Sequence, residues 1–174
     1  TQDLSFSSAG VASASHWGVE RVLVAAGVRA VHVPYKGGPE ALLDVVTGRV
    51  DFLATGVTSA SPYIKDGRLI ALAVSTPKRS SVLPEVPTVA EAGLPGAEYI
   101  FWDGFLAPSK TPRPIIDRMS REVQKILATP AVKERMTQLG VEPMPLTPAE
   151  FDAMIRKEID ENIKLVKAAG LKFD

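Results

Sequence analysis

The sequence contains no cysteine, which removes disulfides, thiolate metal sites and cysteine nucleophiles together. Net charge is missing too: Lys+Arg and Asp+Glu number 20 each. A neutral chain without a basic block has no global field for holding nucleic acid or an anionic membrane. No apolar stretch approaches the roughly 20 residues needed to cross a bilayer. The opening TQDLSFSSAG has neither a basic n-region nor an apolar h-region, so no signal peptide is read there. That leaves a cytosolic protein or one whose N-terminus has been removed. Any anion recognition then falls to a few oriented groups.

What is present is enough for a packed core. Hydrophobic residues make up 45% of the 174, which suits one domain, or one plus part of another. Short apolar runs alternate with helical patterns through the first half. LSF (Leu4–Phe6) ends a strand, and Trp17, Val22, Leu23 and Ala26 recur at helical spacing before Gly27. AVHV (Ala30–Val33) reads as a half-buried strand. Pro39 suits a first helical turn, Leu42, Val45 and Val46 form its stripe, and Gly48 ends it. VDFLA (Val50–Ala54) predicts another strand, followed by a short helix through Tyr63 and Ile64. LIALAV (Leu69–Val74) is a continuous apolar run, as expected of a strand covered on both faces. This alternation predicts an α/β fold with a parallel sheet and right-handed crossovers.

The second half predicts helices. TPRP (Thr111–Pro114) reads as an N-cap and a first-turn proline, with Ile115, Met119, Val123 and Ile126 on one face behind it. Thr129-Pro130 repeats the start signal. TPAE (Thr147–Glu150) is a capping box opening a helix with Phe151, Ile155, Ile159 and Ile163 on one stripe.

Ligands of open parallel α/β sheets lie outside the carboxyl ends of the strands. Three junctions are read there: SSAGVAS (Ser7–Ser13), PYKGG (Pro34–Gly38) and ATGVTS (Ala54–Ser59). Each opens a helix, whose first amides are unpaired and carry roughly half a positive charge. Small residues let a ligand reach the backbone, and the hydroxyls of Ser8, Ser13 and Thr55 add donors. Together the junctions suit a small anion. The same residues are also ordinary N-caps. SSAGVAS is neither a dinucleotide fingerprint nor a P-loop.

Other residues carry less. His16 falls early in a helix, where capping or packing is expected. His32 alternates with Val31 and Val33, which predicts that it faces away from the core. Lys36 suits either a ligand carboxylate or an exposed turn. Glu40 and Asp44, four apart on one helix, predict a solvated face. Ser8 lacks the G-x-S-x-G elbow, with no histidine evidently placed to activate it. Trp102, in FWDGF, suits lining a cleft or filling a hinge, and its place at the boundary favours hinge packing.

FSSAGVASASH, VHVPYKGG, LLDVVTGRVDF, IKDGRLIALAVSTPKRS, LPEVPTVAEAGLPG and FWDGFLAPSKTP resemble the substrate-binding proteins of tripartite tricarboxylate transporters, the Bug-type solute receptors. The resemblance covers nearly the whole chain. It implies a periplasmic binding protein of type II, with two lobes closing on a small carboxylate, no catalysis, no cofactor, and membrane permease subunits as partner. It implies that residues 1–101 are the second ligand-binding lobe. Residues 102–174 are then the hinge and a helical C-terminal segment that normally packs on the first lobe, most of which this chain lacks. The ligand contacts it carries over are Ser8, Ala9, Gly10 and Ser13 in the first loop, and Tyr35, Lys36, Gly37 and Gly38 in the turn. Thr55 is carried over at the third strand end. The family usually has Gly-Ser before the loop and a second Gly within it; here stand Ser7-Ser8 and Ala12. The helical stripes that the first lobe covers are expected to fold back or to pair with a second copy. A ligand-sensing module for a membrane signalling partner, and a hydrolase on the same scaffold, are the alternatives.

Overall fold

In the computed structural model, which describes residues 4–171, β1 (Ser5–Ser8) lies between β2 (Val31–Pro34) and β3 (Phe52–Leu53). The sheet order is β2-β1-β3 and both pairings are parallel. Helix α1 (Ala14–Ala26) joins β1 to β2, and α2 (Gly38–Val46) carries the chain back past β1 to β3. Helix α3 (Val57–Lys65) follows β3. The two crossovers run in opposite directions from β1, so right-handed connections put α1 and α2 on opposite faces. Alternation along β1 matches this. Phe6, fully buried, packs with Val19 and Leu23 of α1, whereas the Ser7 hydroxyl donates to the Ala41 carbonyl of α2 at 2.9 Å. Asp51, just before β3, accepts from both the amide and the hydroxyl of Ser5 at 2.7 Å, joining the strand starts. These bonds hold its carboxyl below the usual range.

Leu69–Val74 does not form the expected strand. Among the described residues its ladder is one isolated bridge, Val74 to Thr88. The run is not covered on both faces either. Val74 is buried with Leu83 and Val86, and Ala71 packs against them with Val57 and Ile64 of α3, but Ile70 is 85% and Leu72 73% exposed. An apolar run reports hydrophobicity, not the number of layers available to cover it.

The chain divides into two compact units, Thr1–Phe101 with Leu165–Asp174, and Trp102–Lys164. In the second, α4 (Arg113–Ala128) and α5 (Pro130–Gln138) are consecutive, and α6 (Pro148–Ala169) starts there. The capping box at α6 forms as its sequence predicts: the Thr147 amide donates to Glu150 Oε2 at 2.8 Å, and the Glu150 amide returns a bond to the Thr147 hydroxyl. At α4 the cap differs. Pro112 takes the N-cap, because Thr111 closes the preceding turn on the Pro108 carbonyl. Trp102 donates to Glu158 at 2.7 Å and meets the Phe151 ring edge to face, while Gly104 lies directly beneath that ring. The helical stripes do not fold back under cover: Ile115, Met119, Ile126 and Ile159 are each about half exposed, and no residue of α4 is buried. Among the described residues no strand lies in this unit to cap them.

Candidate functional site

The order β2-β1-β3 makes the carboxyl ends of β1 and β3 a topological switch point, where loops diverge to opposite faces and leave a crevice. Parallel pairing sends all three following loops to one edge. Ser8 is level with Pro34, and Ser7 with Leu53, so Ala9–Ser13, Tyr35–Gly37 and Ala54–Gly56 emerge side by side. The Tyr35 amide donates to the Ser8 carbonyl at 2.9 Å. Gly10, at φ +132°, brings its backbone against the Tyr35 carbonyl; a Cβ there would lie 3.3 Å from that oxygen. On the other side, Gly18 of α1 sits where a Cβ would meet Ala54 at 3.2 Å, so α1 lies tight against the end of β3.

The three loops differ in what their backbone leaves available. The first is closed on itself. The Ala9 amide donates to Ser15 Oγ, that of Gly10 to Ser8 Oγ, that of Ala12 to His16 Nδ1, and that of Ser13 to the Gly10 carbonyl. Ser13 caps α1 by accepting from the His16 amide at 3.3 Å, and its hydroxyl also meets Ser15 Oγ. The second loop is open. Helix α2 has Gly37 as N-cap, and the next residues are Gly38 and Pro39, which has no amide hydrogen. Among the described residues nothing accepts from the amides of Lys36, Gly37 or Gly38. The third is similar: Gly56 caps α3 without a side-chain bond, and the amides of Thr55, Gly56 and Val57 have no acceptor among the described residues.

Side chains frame these amides without neutralising them. Tyr35 is half-buried, and its hydroxyl donates to Asp44 Oδ2 at 2.6 Å, which holds the phenol above its ordinary pKa. Arg49 reaches the other Asp44 oxygen at 3.1 Å. Asp44 is therefore not on a solvated face with Glu40; it is a buttress between the turn and the end of α2. Lys36 is exposed, and among the described residues no acid pairs with it. Thr55 is half-buried at the third strand end.

His32 faces the core side that alternation had assigned away from it. Its ring stacks on Phe6 at 4.7 Å and on His16 at 4.0 Å, under α1. The reason is register. Phe6 and His32 are level across the β1–β2 pair, so they share a face, and α1 packs on that face. Val31 and Val33 point to the thinner side, with Val31 54% exposed. Burial, then the neighbouring His16, lowers the His32 pKa to about 4, against a raising effect of Glu20. A histidine therefore does reach Ser8: His32 Nε2 lies 2.6 Å from its hydroxyl oxygen. The sequence signal for this pair is weak, because only the register puts the two residues together.

The second unit holds a depression of about 270 Å³ between α4 and the start of α6, lined by Arg113, Arg121, Gln124 and Thr147 among others. Arg113 is paired with Asp117 at 2.8 Å, and Gln124 with the Leu146 carbonyl. Among the described residues it offers no set of unpaired amides like the one at Lys36–Gly38. Among the described residues no group of three or more His, Asp or Glu is placed to hold a metal.

Comparison with known proteins agrees with this architecture. The family model described as a tripartite tricarboxylate transporter family receptor matches residues 1–171. A UPF0065 protein in the tcbD–tcbE intergenic region of Pseudomonas sp. (strain P51) is 40% identical over 164 residues, which is 94% of this chain and 49% of that protein. Among solved structures, R. palustris Rpa4515 with adipate superposes with a TM-score of 0.88 at 31% identity, over 97% of this chain and 56% of that one. The periplasmic binding protein BugD gives 0.87 at 34%, over 97% and 57%. MatC (Rpa3494) from Rhodopseudomonas palustris with bound malate gives 0.80 at 30%, over 95% and 56%. The chain spans about half the length of most of the curated relatives it matches. Matched from its first residue to Leu171, it belongs to the tripartite tricarboxylate transporter receptor family.

Proposed function

We propose that the crevice at the ends of β1, β2 and β3 captures a small carboxylate for a tripartite tricarboxylate transporter, in the periplasm, with the membrane permease subunits as receiving partner. The observation that carries this is the row of unpaired amides at Lys36, Gly37 and Gly38, opening α2 beside the uncapped start of α3. Such amides and their helix dipoles favour a carboxylate without formal charge. Tyr35, held by Asp44, walls the turn, and Thr55 supplies a hydroxyl on the far side. Ser8, Ala9, Gly10 and Ser13 act mainly as scaffold, since their polar groups are largely used within the loop. Structural neighbours hold adipate and malate, which supports a carboxylate as the ligand class. Isothermal titration with adipate and malate tests this: saturable binding without turnover is expected, and no heat with either contradicts it.

The contact between Ser8 and His32 raises a hydrolase as the competing function. Ser8 is fully buried, and its hydroxyl also lies 2.9 Å from the Gly10 carbonyl. A single hydroxyl proton given to that carbonyl leaves both lone pairs to accept from the Gly10 amide and from His32 Nε2–H. In that arrangement His32 is a donor and cannot act as base. Absence of labelling by a fluorophosphonate is the expected result. The residues of the α4 stripe suit pairing with a second copy, which sedimentation velocity reads directly.

A further inference from the structure

Two stacked imidazoles lie beneath the β1–α1 loop, and we propose that His16 and His32 are positioning residues which keep this loop in its binding shape. This rests on the assignment of the loop to the carboxylate site.

The Ala12 amide donates to His16 Nδ1 at 3.0 Å. That nitrogen must carry a lone pair, so the ring proton sits on Nε2, which lies 3.5 Å from Glu20 Oε1. Ala12 is the one non-glycine residue at positive φ among the described residues, at 61°. Alanine resists that conformation, so the bond to His16 holds a backbone turn the residue does not favour. His32 does the same for Ser8, donating to its hydroxyl and leaving that hydroxyl to bridge to the Gly10 carbonyl. The loop thus hangs from two rings 4.0 Å apart and 8° from parallel, with His16 only 2% exposed.

The pair is enclosed by its neighbours. From α1 it faces Glu20 and the Trp17 ring, from β1 Phe6 and Ser8, and from β3 Phe52 behind Phe6. Packing on these sides fixes the planes of both rings, and with them the directions of His16 Nδ1 and His32 Nε2.

The test combines a ligand-free readout with a binding readout on the full chain. NMR gives the His16 ring tautomer and the exchange protection of the Ala12 amide at about pH 7.5, and calorimetry gives adipate affinity. The wild-type protein is expected to show the Nε2–H tautomer and a protected Ala12 amide. His16→Asn, whose carboxamide oxygen replaces Nδ1 as acceptor, keeps protection and affinity within about threefold. His16→Phe keeps the stack but not the acceptor, and loses about tenfold in both. Retained Ala12 protection in His16→Phe, or its loss in His16→Asn, overturns the proposal. If no chain binds adipate while Ala12 protection follows the expected pattern, the positioning role stands and the carboxylate assignment fails.

Discussion

The Tyr35 carbonyl oxygen lies 3.3 Å from where a side chain on Gly10 would begin, so two loops of the crevice meet through bare backbone. Gly10 also sits at φ +132°, a conformation that other residues rarely adopt. Gly10→Ala is therefore expected to destabilise the fold by about 1–3 kcal/mol, read from the urea midpoint. An unchanged midpoint would mean that the loop and the turn are not packed against each other.

Ala12 offers the opposite experiment. It holds a left-handed conformation without being glycine. Ala12→Gly removes the steric penalty but adds freedom to the unfolded chain, for a net gain of about 0.5–1 kcal/mol. Thermal unfolding at neutral pH should show a higher midpoint; a lower one would remove the strain assigned to this residue.

His32 makes stability fall with acid. Its pKa is lowered to about 4 in the folded chain from 6.5. Below 6.5 the unfolded state gains a proton that the folded state does not yet take. Stability is therefore full above that value, is lost as pH falls towards about 4, and levels off below it. The loss should be of order 1–2 kcal/mol after screening by solvent. His32→Gln, which keeps a donor for Ser8 but does not titrate, should remove this segment of the urea stability–pH curve. A curve with the same slope in the variant would assign the effect to other groups.

In the second unit, a Cβ on Gly104 would lie 2.5 Å from Phe151 Cζ. Gly104→Ala must push the ring from its edge-to-face contact with Trp102, at a cost of about 1–3 kcal/mol. A shifted Trp emission together with a lower thermal midpoint is expected, and neither change would show that the ring has room to move.

Much of the strand–helix alternation could be read from residues such as Gly27 and Pro39, because caps and breakers are local chemistry. The edge where Ser8, Tyr35 and Thr55 gather could also be anticipated, since parallel strands bring successive loops to one side. Three features could not. The side His32 faces depended on its register with Phe6. The exposure of Ile70 and Leu72 depended on which layers cover Leu69–Val74. The role of Asp44 depended on a tyrosine nine residues away curling back over α2. Each is set by tertiary neighbours that one-dimensional periodicity does not encode.

Gly37 provides the most direct measurement. Its φ of −175° suits any residue, and a Cβ there meets nothing closer than Pro39 Cδ at 3.7 Å, so Gly37→Val changes the crevice and not the fold. Calorimetry with adipate should show binding lost in Gly37→Val and weakened only about two- to fivefold in Lys36→Ala, as expected when backbone amides are the anchor and the lysine charge is exposed. Full binding in Gly37→Val with loss in Lys36→Ala would contradict the account, placing the anchor on the lysine charge.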